Sequence, residues 1–433
     1  MTPQSHFMMV APIAPHRASD LRALLATMNV QPGVVNPQND LIPFGQFERL
    51  HFARFVILDD PTLDDITVYG VSRPDVATSL AFLGDCDGPA SDFLADLVQR
   101  AGTGLRQIFS HCQGFASDCD VLVWMQNHAQ SPAATYVNWV GRTVRQIREE
   151  STLRNALVAY LDHHTATFAG KGPRESREAL QQFVDAETQA GRLSLTPPEP
   201  TPLAWQVRNV LHGVGIPLIL LLLAPFLVLY SPVFFVQLRR RERQDAEIAP
   251  RPEACHVRQL AALEDHDVTN QFSALGTLKP GRFRRWTLTF LLWILNYATR
   301  HIFHRGHLTR VKTIHFARWV FLDKKQRMLF ASNYDGSLES YMDDFINKVA
   351  WGLNLVFSNG VGYPRTNWLI LQGAKNEQKF KYYIRRHELS TEVWYNAHPG
   401  LTALDLERNT RIRQGLEKSS MTDAEIVAWL QLF

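Results

Sequence analysis

Hydrophobic and polar positions along this chain fall into short extended runs that alternate with longer amphipathic stretches, and the whole alternation occurs twice. Residues 7–12 and 271–278 are apolar, extended-looking runs. Each precedes a helical pattern, 18–28 in the first half and 283–303 in the second. Then comes a run rich in β-branched and aromatic residues, 50–59 and 314–323, which reads as a strand. Hairpin partners are predicted at 79–83 and 328–332, second helices at 91–109 and 338–357, and closing strands at 121–125 and 368–371. Helical extensions are expected over 133–160 and from 377 onward.

The two halves match residue by residue. Leu50-His51-Phe52-Ala53-Arg54-Phe55-Val56-Ile57-Leu58-Asp59 returns as Ile314-His315-Phe316-Ala317-Arg318-Trp319-Val320-Phe321-Leu322-Asp323, at an offset of 264. A second block, 84–115 against 332–363, has an offset of 248, with 8 of 32 positions identical. The change of offset places 16 extra residues between the blocks of the first half. A weaker match joins Phe7, Pro15 and Arg17 to Phe272, Pro280 and Arg282. Three matches in one order mark an internal duplication. The element order β-α-β-β-α-β is that of a split βαβ, ferredoxin-like unit. Such a unit leaves one sheet face bare. The fold expected is therefore α+β: two tandem ferredoxin-like units pairing face to face as an α+β barrel, with a pocket between the sheets. The expected division is 1–165, a linker at 166–206 with a Pro-rich end, a membrane segment at 207–243, and 254–433.

Residues 210–236 break the soluble pattern: 27 positions without a formal charge. About 20 such residues cross a bilayer core as a helix. Pro217, Pro225 and Pro232 interrupt the segment, and proline kinks helices. A single crossing would separate the halves, so a proline-bent hairpin or an in-plane anchor is expected. The attaching residues are Leu220, Pro225 and Phe226, with Arg239, Arg240 and Arg241 beside them. By the positive-inside rule both units are expected on the cytoplasmic side. Further basic clusters, Arg282, Arg284 and Arg285 and the stretch 301–312 with His301, His304 and His307, suit an anionic leaflet.

Composition adds limits. With 45% hydrophobic residues the chain can bury real cores, and a net charge of only +3 argues against nucleic acid as a partner. Four cysteines without a CxxC pair argue against a zinc site or a disulfide scaffold. The first ten residues lack the pattern of a cleaved signal peptide. No P-loop, HExxH, GxSxG or dinucleotide-binding glycine pattern occurs.

Candidate chemistry centres on the repeated strand and the Asp-Gly pairs. Side chains alternate along a strand, so His51 and Arg54, or His315 and Arg318, should face opposite sides. A buried charge needs a partner, and Asp87 or Asp335 is the natural one. Each Asp-Gly pair sits where a strand meets a helix, so the Asp would cap that helix and the Gly permit the turn. Gly84-Asp85-Cys86-Asp87-Gly88 resembles the GxxDG motif of dye-decolourising peroxidases, haem enzymes built from two ferredoxin-like units. Asp335-Gly336 looks like a second copy in which Ser332 replaces the first Gly. The resemblance implies Asp335, Arg318 and Asp87 as catalytic residues, haem as cofactor, and His315, His387 and His398 as candidates for holding it. Arg365 and Arg385 are possible distal partners. Three functions then compete: a membrane-associated, haem-peroxidase-like oxidoreductase acting on a small hydrophobic substrate, a non-catalytic lipid-binding or scaffold protein, and a cofactor-free oxygenase.

Overall fold

The computed structural model describes residues 1–303, 308 and 310–433. The strands that matter are β1 (Gln4–Pro12), β2 (Leu50–Leu58), β3 (Ser79–Asp87), β4 (Ala134–Val137), β5 (Thr269–Thr277), β6 (Ile314–Leu322), β7 (Arg327–Asp335) and β8 (Thr391–Asn396). The main helices are α1 (Ala18–Ala26), α2 (Ala90–Phe109), α3 (Val121–Asn127), α4 (Val144–His163), α5 (Pro173–Gln189), α6 (Leu203–Gln244), α7 (Arg282–His301), α8 (Leu338–Phe357), α9 (Glu377–His387) and α10 (Ala403–Glu417). The extra residues of the first half lie between β2 and β3, where a 3-10 turn (Leu63–Tyr69) occupies the connection that β6 and β7 make in a tight turn.

Two four-stranded antiparallel sheets result, in the orders β1-β3-β2-β8 and β4-β6-β7-β5. Each fourth strand comes from the other half of the chain. Tyr395 of β8 lies opposite Ala53, and Tyr136 of β4 lies opposite Ala317, the same alanine of the repeated strand. The expected closing strands are therefore corrected. Residues 121–125 belong to α3, and 366–372 form only a two-residue ladder. Each fourth strand joins the β2 or β6 edge, so neither half completes its own sheet.

The sheets face one another without closing into a barrel among the described residues. Alternation along β2 explains the layering. Ala53, Phe55 and Ile57 enter one helix-covered core with Phe82, Phe93 and Leu105. Val56 and Leu58 instead meet Val320, Leu322, Leu329 and Leu275 of the second sheet. Both faces are covered, so the strand reads as continuously apolar. A second helix-covered core gathers Leu288, Leu292, Phe330 and Tyr341.

The apolar segment is one continuous 42-residue helix, α6, not a hairpin. At 1.5 Å per residue it is about 63 Å long. It is long and apolar enough to cross a membrane. Two of its three prolines leave a carbonyl that finds another donor. Pro217 frees Gly213 O, which accepts from Tyr297 Oη at 3.3 Å, and Pro232 frees Val228 O, which accepts from Ser231 Oγ at 2.8 Å. That substitution is how a helix tolerates internal proline.

Candidate functional site

The His and Arg of each repeated strand and the two Asp-Gly aspartates converge in the layer between the sheets. Parity along the strand fails there, because a β-bulge interrupts both ladders at His51 and His315. As a result the His and the Arg of each strand reach the same inter-sheet space. His51 lies 5.5 Å from the ring of Phe316 in the facing sheet, and His315 lies 5.7 Å from that of Phe52. Arg54 donates to Phe272 O and Ser332 O, while Arg318 donates to Phe7 O and Gly84 O. Each guanidinium thus ties its own sheet to the backbone of the other.

The expected carboxylate partners serve the histidines. Asp87 Oδ1 is 2.9 Å from His51 Nε2, and Asp335 Oδ1 is 2.5 Å from His315 Nε2. The capping expectation is right in kind and wrong in helix. Asp87 Oδ2 accepts from Val144 N at 2.9 Å and Asp335 Oδ2 from Ala403 N at 2.8 Å. Each Asp therefore caps the first turn of the helix that follows an exchanged strand, where the helix dipole favours negative charge. Gly88 and Gly336 take positive φ, +72° and +81°, as the turn requires. Gly84 has a packing reason: a Cβ there would stand 2.6 Å from Phe52 O.

The halves then diverge. Arg318 forms an ion pair with Asp85, which also bonds His6 Nδ1 at 2.6 Å. Burial pushes the Asp85 carboxyl up, but Arg318 and His6 more than offset it and hold it below the usual range. The matching positions of the other half are Asn333 and Gln271, so Arg54 meets an amide where Arg318 meets a carboxylate. Burial, with Arg318 nearby, pushes Arg54 down to about 9. His398 Nε2 lies 2.9 Å from His51 Nδ1, and its counterpart is Trp139, whose ring lies 4.7 Å from that of His315. Burial, followed by the charges of His51 and His315, keeps His398 well below the ordinary histidine range. His6, Asp85 and Trp139 were not selected from sequence. For Asp85 the signal was a difference between the two copies inside a matched block, whereas His6 and Trp139 lie outside the matched blocks.

The residues named for haem are not gathered at one place. His315 and His398 are held through Nε2, and the Nδ1 of each is buried without a partner. His387 sits elsewhere, its Nδ1 bonded to Tyr383 O and its ring against Gly276. Phe52, Phe316 and Trp394 fill the space between the histidines and the facing sheet. Arg385 is engaged by Glu264, Glu388 and Glu339, and Arg365 by Asp245 O. Among the described residues no group of three His, Cys, Asp or Glu is placed to hold a metal ion.

The second candidate surface is α6. Among the described residues a narrow stripe of it meets the body, including Asn209, His212 and Gly213 against Arg300, His301 and Tyr297, and then Phe234 against Phe283. The helix thus runs antiparallel along α7. Its C-terminal end is fastened by Glu242, which accepts from Trp368 N, Leu369 N and Thr366 Oγ1, and by Asp245, which bonds Lys279 and Arg284. Leu220 is on the half-buried stripe, whereas Pro225 is exposed and Phe226 is 69% exposed. Arg239 pairs with Glu242 and lies over Trp368, Arg240 is exposed, and Arg241 lies over Phe283. Of the three histidines near residue 304, His301 bonds His212, while His304 and His307 lie outside the described residues.

No protein-family model and no curated protein matches this chain.

Proposed function

We propose that this chain is a membrane-surface protein, a lipid-binding or scaffold protein without a cofactor, that beds α6 and the outer side of α7 in one leaflet. We read its body as two tandem ferredoxin-like units that have exchanged their fourth strands, with α6 inserted between them. One observation carries the membrane reading. Both ends of α6 are fastened to the same body, while Leu218, Leu222, Phe226, Leu229, Val233 and Val236 stand exposed along it. Leaving that much contiguous apolar surface in water is unfavourable at roughly 25 cal/mol per Å². A crossing would instead draw α7 and the sheet beneath it into the bilayer. An interfacial helix needs no such burial. Trp205, Trp286 and Trp368 flank the apolar stretch, and indole rings favour the headgroup level. Arginines stand at both ends, Arg208 and Arg300 at one and Arg240, Arg243 and Arg282 at the other, which suits an anionic, cytoplasmic leaflet.

Co-flotation with vesicles containing phosphatidylserine tests the proposal. The native chain floats. A variant carrying Leu222→Glu, Phe226→Glu and Leu229→Glu stays in the dense fraction with an unchanged circular dichroism spectrum. Flotation of that variant equal to the native chain would refute the assignment.

A further inference from the structure

A groove of about 730 Å³, apart from α6, opens between α4, α10 and the segment after β8. It is within the size range of small-ligand sites. Three arginines line it: Arg148 and Arg154 from α4, and Arg408 from α10. Arg148 donates only to neutral oxygens, Ala397 O at 3.3 Å and Tyr395 Oη at 3.4 Å. Arg154 has no hydrogen-bonded or ion-paired partner among the described residues, and its Nε is buried. Arg408 pairs with Asp405, whose other oxygen is taken by Thr402 N and Oγ1 at 3.0 and 2.6 Å. Asp405 is the one carboxylate among the lining residues, and it is shared by Arg408 and Arg154, so the lining carries three cations against one anion.

The polar atoms on this lining are left unsatisfied together. Arg154 Nε, Arg408 Nε, Asn409 Oδ1 and His398 Nδ1 are all buried without a partner. His398 is 2% exposed. Its tautomer follows from its neighbours: Asp87 accepts from His51 Nε2, so His51 Nδ1 accepts from His398 Nε2, and His398 Nδ1 remains an acceptor. Orphaned polar groups are rare in folded proteins, and several around one groove point to a missing ligand. Guanidinium groups recognise flat oxyanions through paired donors.

We propose that this groove binds a small organic oxyanion, a phosphate- or carboxylate-bearing molecule held by Arg154, Arg408 and Arg148. The acceptors Asn409 Oδ1 and His398 Nδ1 would select a ligand that also carries a hydroxyl or amino group. Isothermal titration of the full chain in detergent, at matched ionic strength, tests it with two probes: inorganic pyrophosphate and citrate. Saturable binding of either is expected, and the stronger probe names the anion class. Arg154→Gln and Arg408→Gln should each weaken it at least tenfold, while Arg174→Gln, at an exposed pair far along the chain, should not. Absence of saturable binding by both probes, or binding indifferent to both groove substitutions, would overturn the proposal.

Discussion

The two copies of the His-Phe-Ala-Arg strand are built alike and kept in different company. In both, the His bonds an Asp that caps an exchanged helix, and the Arg binds backbone of the facing sheet. Around Arg318 stand Asp85 and His6, whereas Arg54 meets Asn333, and Gln271, at the position matching His6, turns to Leu263 O. His51 is followed by His398, while His315 is followed by Trp139. What is repeated serves architecture, since both copies do the same mechanical work. What is not repeated marks where one half has specialised, and His398 is the unrepeated residue that reaches the anion groove.

Substitutions should separate the copies. The largest effect is expected for Arg318→Met, which strands the buried Asp85 charge and should cost about 3–5 kcal/mol in urea unfolding. Arg54→Met leaves only neutral acceptors behind and should cost about 1–3 kcal/mol. Equal losses would erase the distinction.

Next comes pH. Burial holds His6 and His398 below the ordinary histidine pKa. The unfolded chain takes up protons near pH 6.5 while these folded groups do not. Stability should therefore fall as pH drops below about 6.5, by at most about 1.4 kcal/mol per pH unit for each group. His387 behaves in the same direction, since burial lowers it too. Giving the first face the residues of the second, His6→Gln with His398→Trp, should flatten the slope by up to two protons. An unchanged slope in thermal unfolding between pH 5 and 7 would show that these histidines are not the groups responsible.

Gly84→Ala forces a Cβ against Phe52 O and the Phe7 ring. A loss of about 1–3 kcal/mol is expected, as for overpacked cores. The matching Ser332 has room for its hydroxyl, which bonds Tyr341 Oη at 3.0 Å, so Ser332→Ala should cost about 1 kcal/mol. The smallest effect is expected at a feature present in both copies, the exposed Asp96–Arg100 and Asp344–Lys348 pairs. Removing either should change stability by less than about 0.5 kcal/mol. Repetition alone does not measure importance.

Much of this fold was legible because β-strands buried on both faces and amphipathic helices carry strong patterns. The exchanged strands were not, because β4 has only four residues and the more apolar 121–125 run next to it folds as a helix. A strand that completes a distant sheet carries no local mark of its partner. The bulge at His51 and His315 was hidden too, since periodicity assumes an unbroken ladder. Proline spacing argued for a hairpin in α6, and the donor that Tyr297 brings to Gly213 O from α7 carries no local mark, whereas Ser231 stands beside Pro232 in the sequence. Asp87, Asp335, Arg318 and His315 were found from the repeat. The anion groove was not, because Arg148, Arg154 and Arg408 meet only after α4 and α10 pack together.

The account rests on both halves sharing one side of the membrane, with α6 lying in the leaflet they face. Protease digestion of the protein on sealed vesicles, read with antibodies against 1–165 and 254–433, tests this most directly. The prediction is that both halves are degraded together, or protected together, in every intact vesicle preparation. Protection of one half while the other is cleaved would mean that α6 crosses the bilayer.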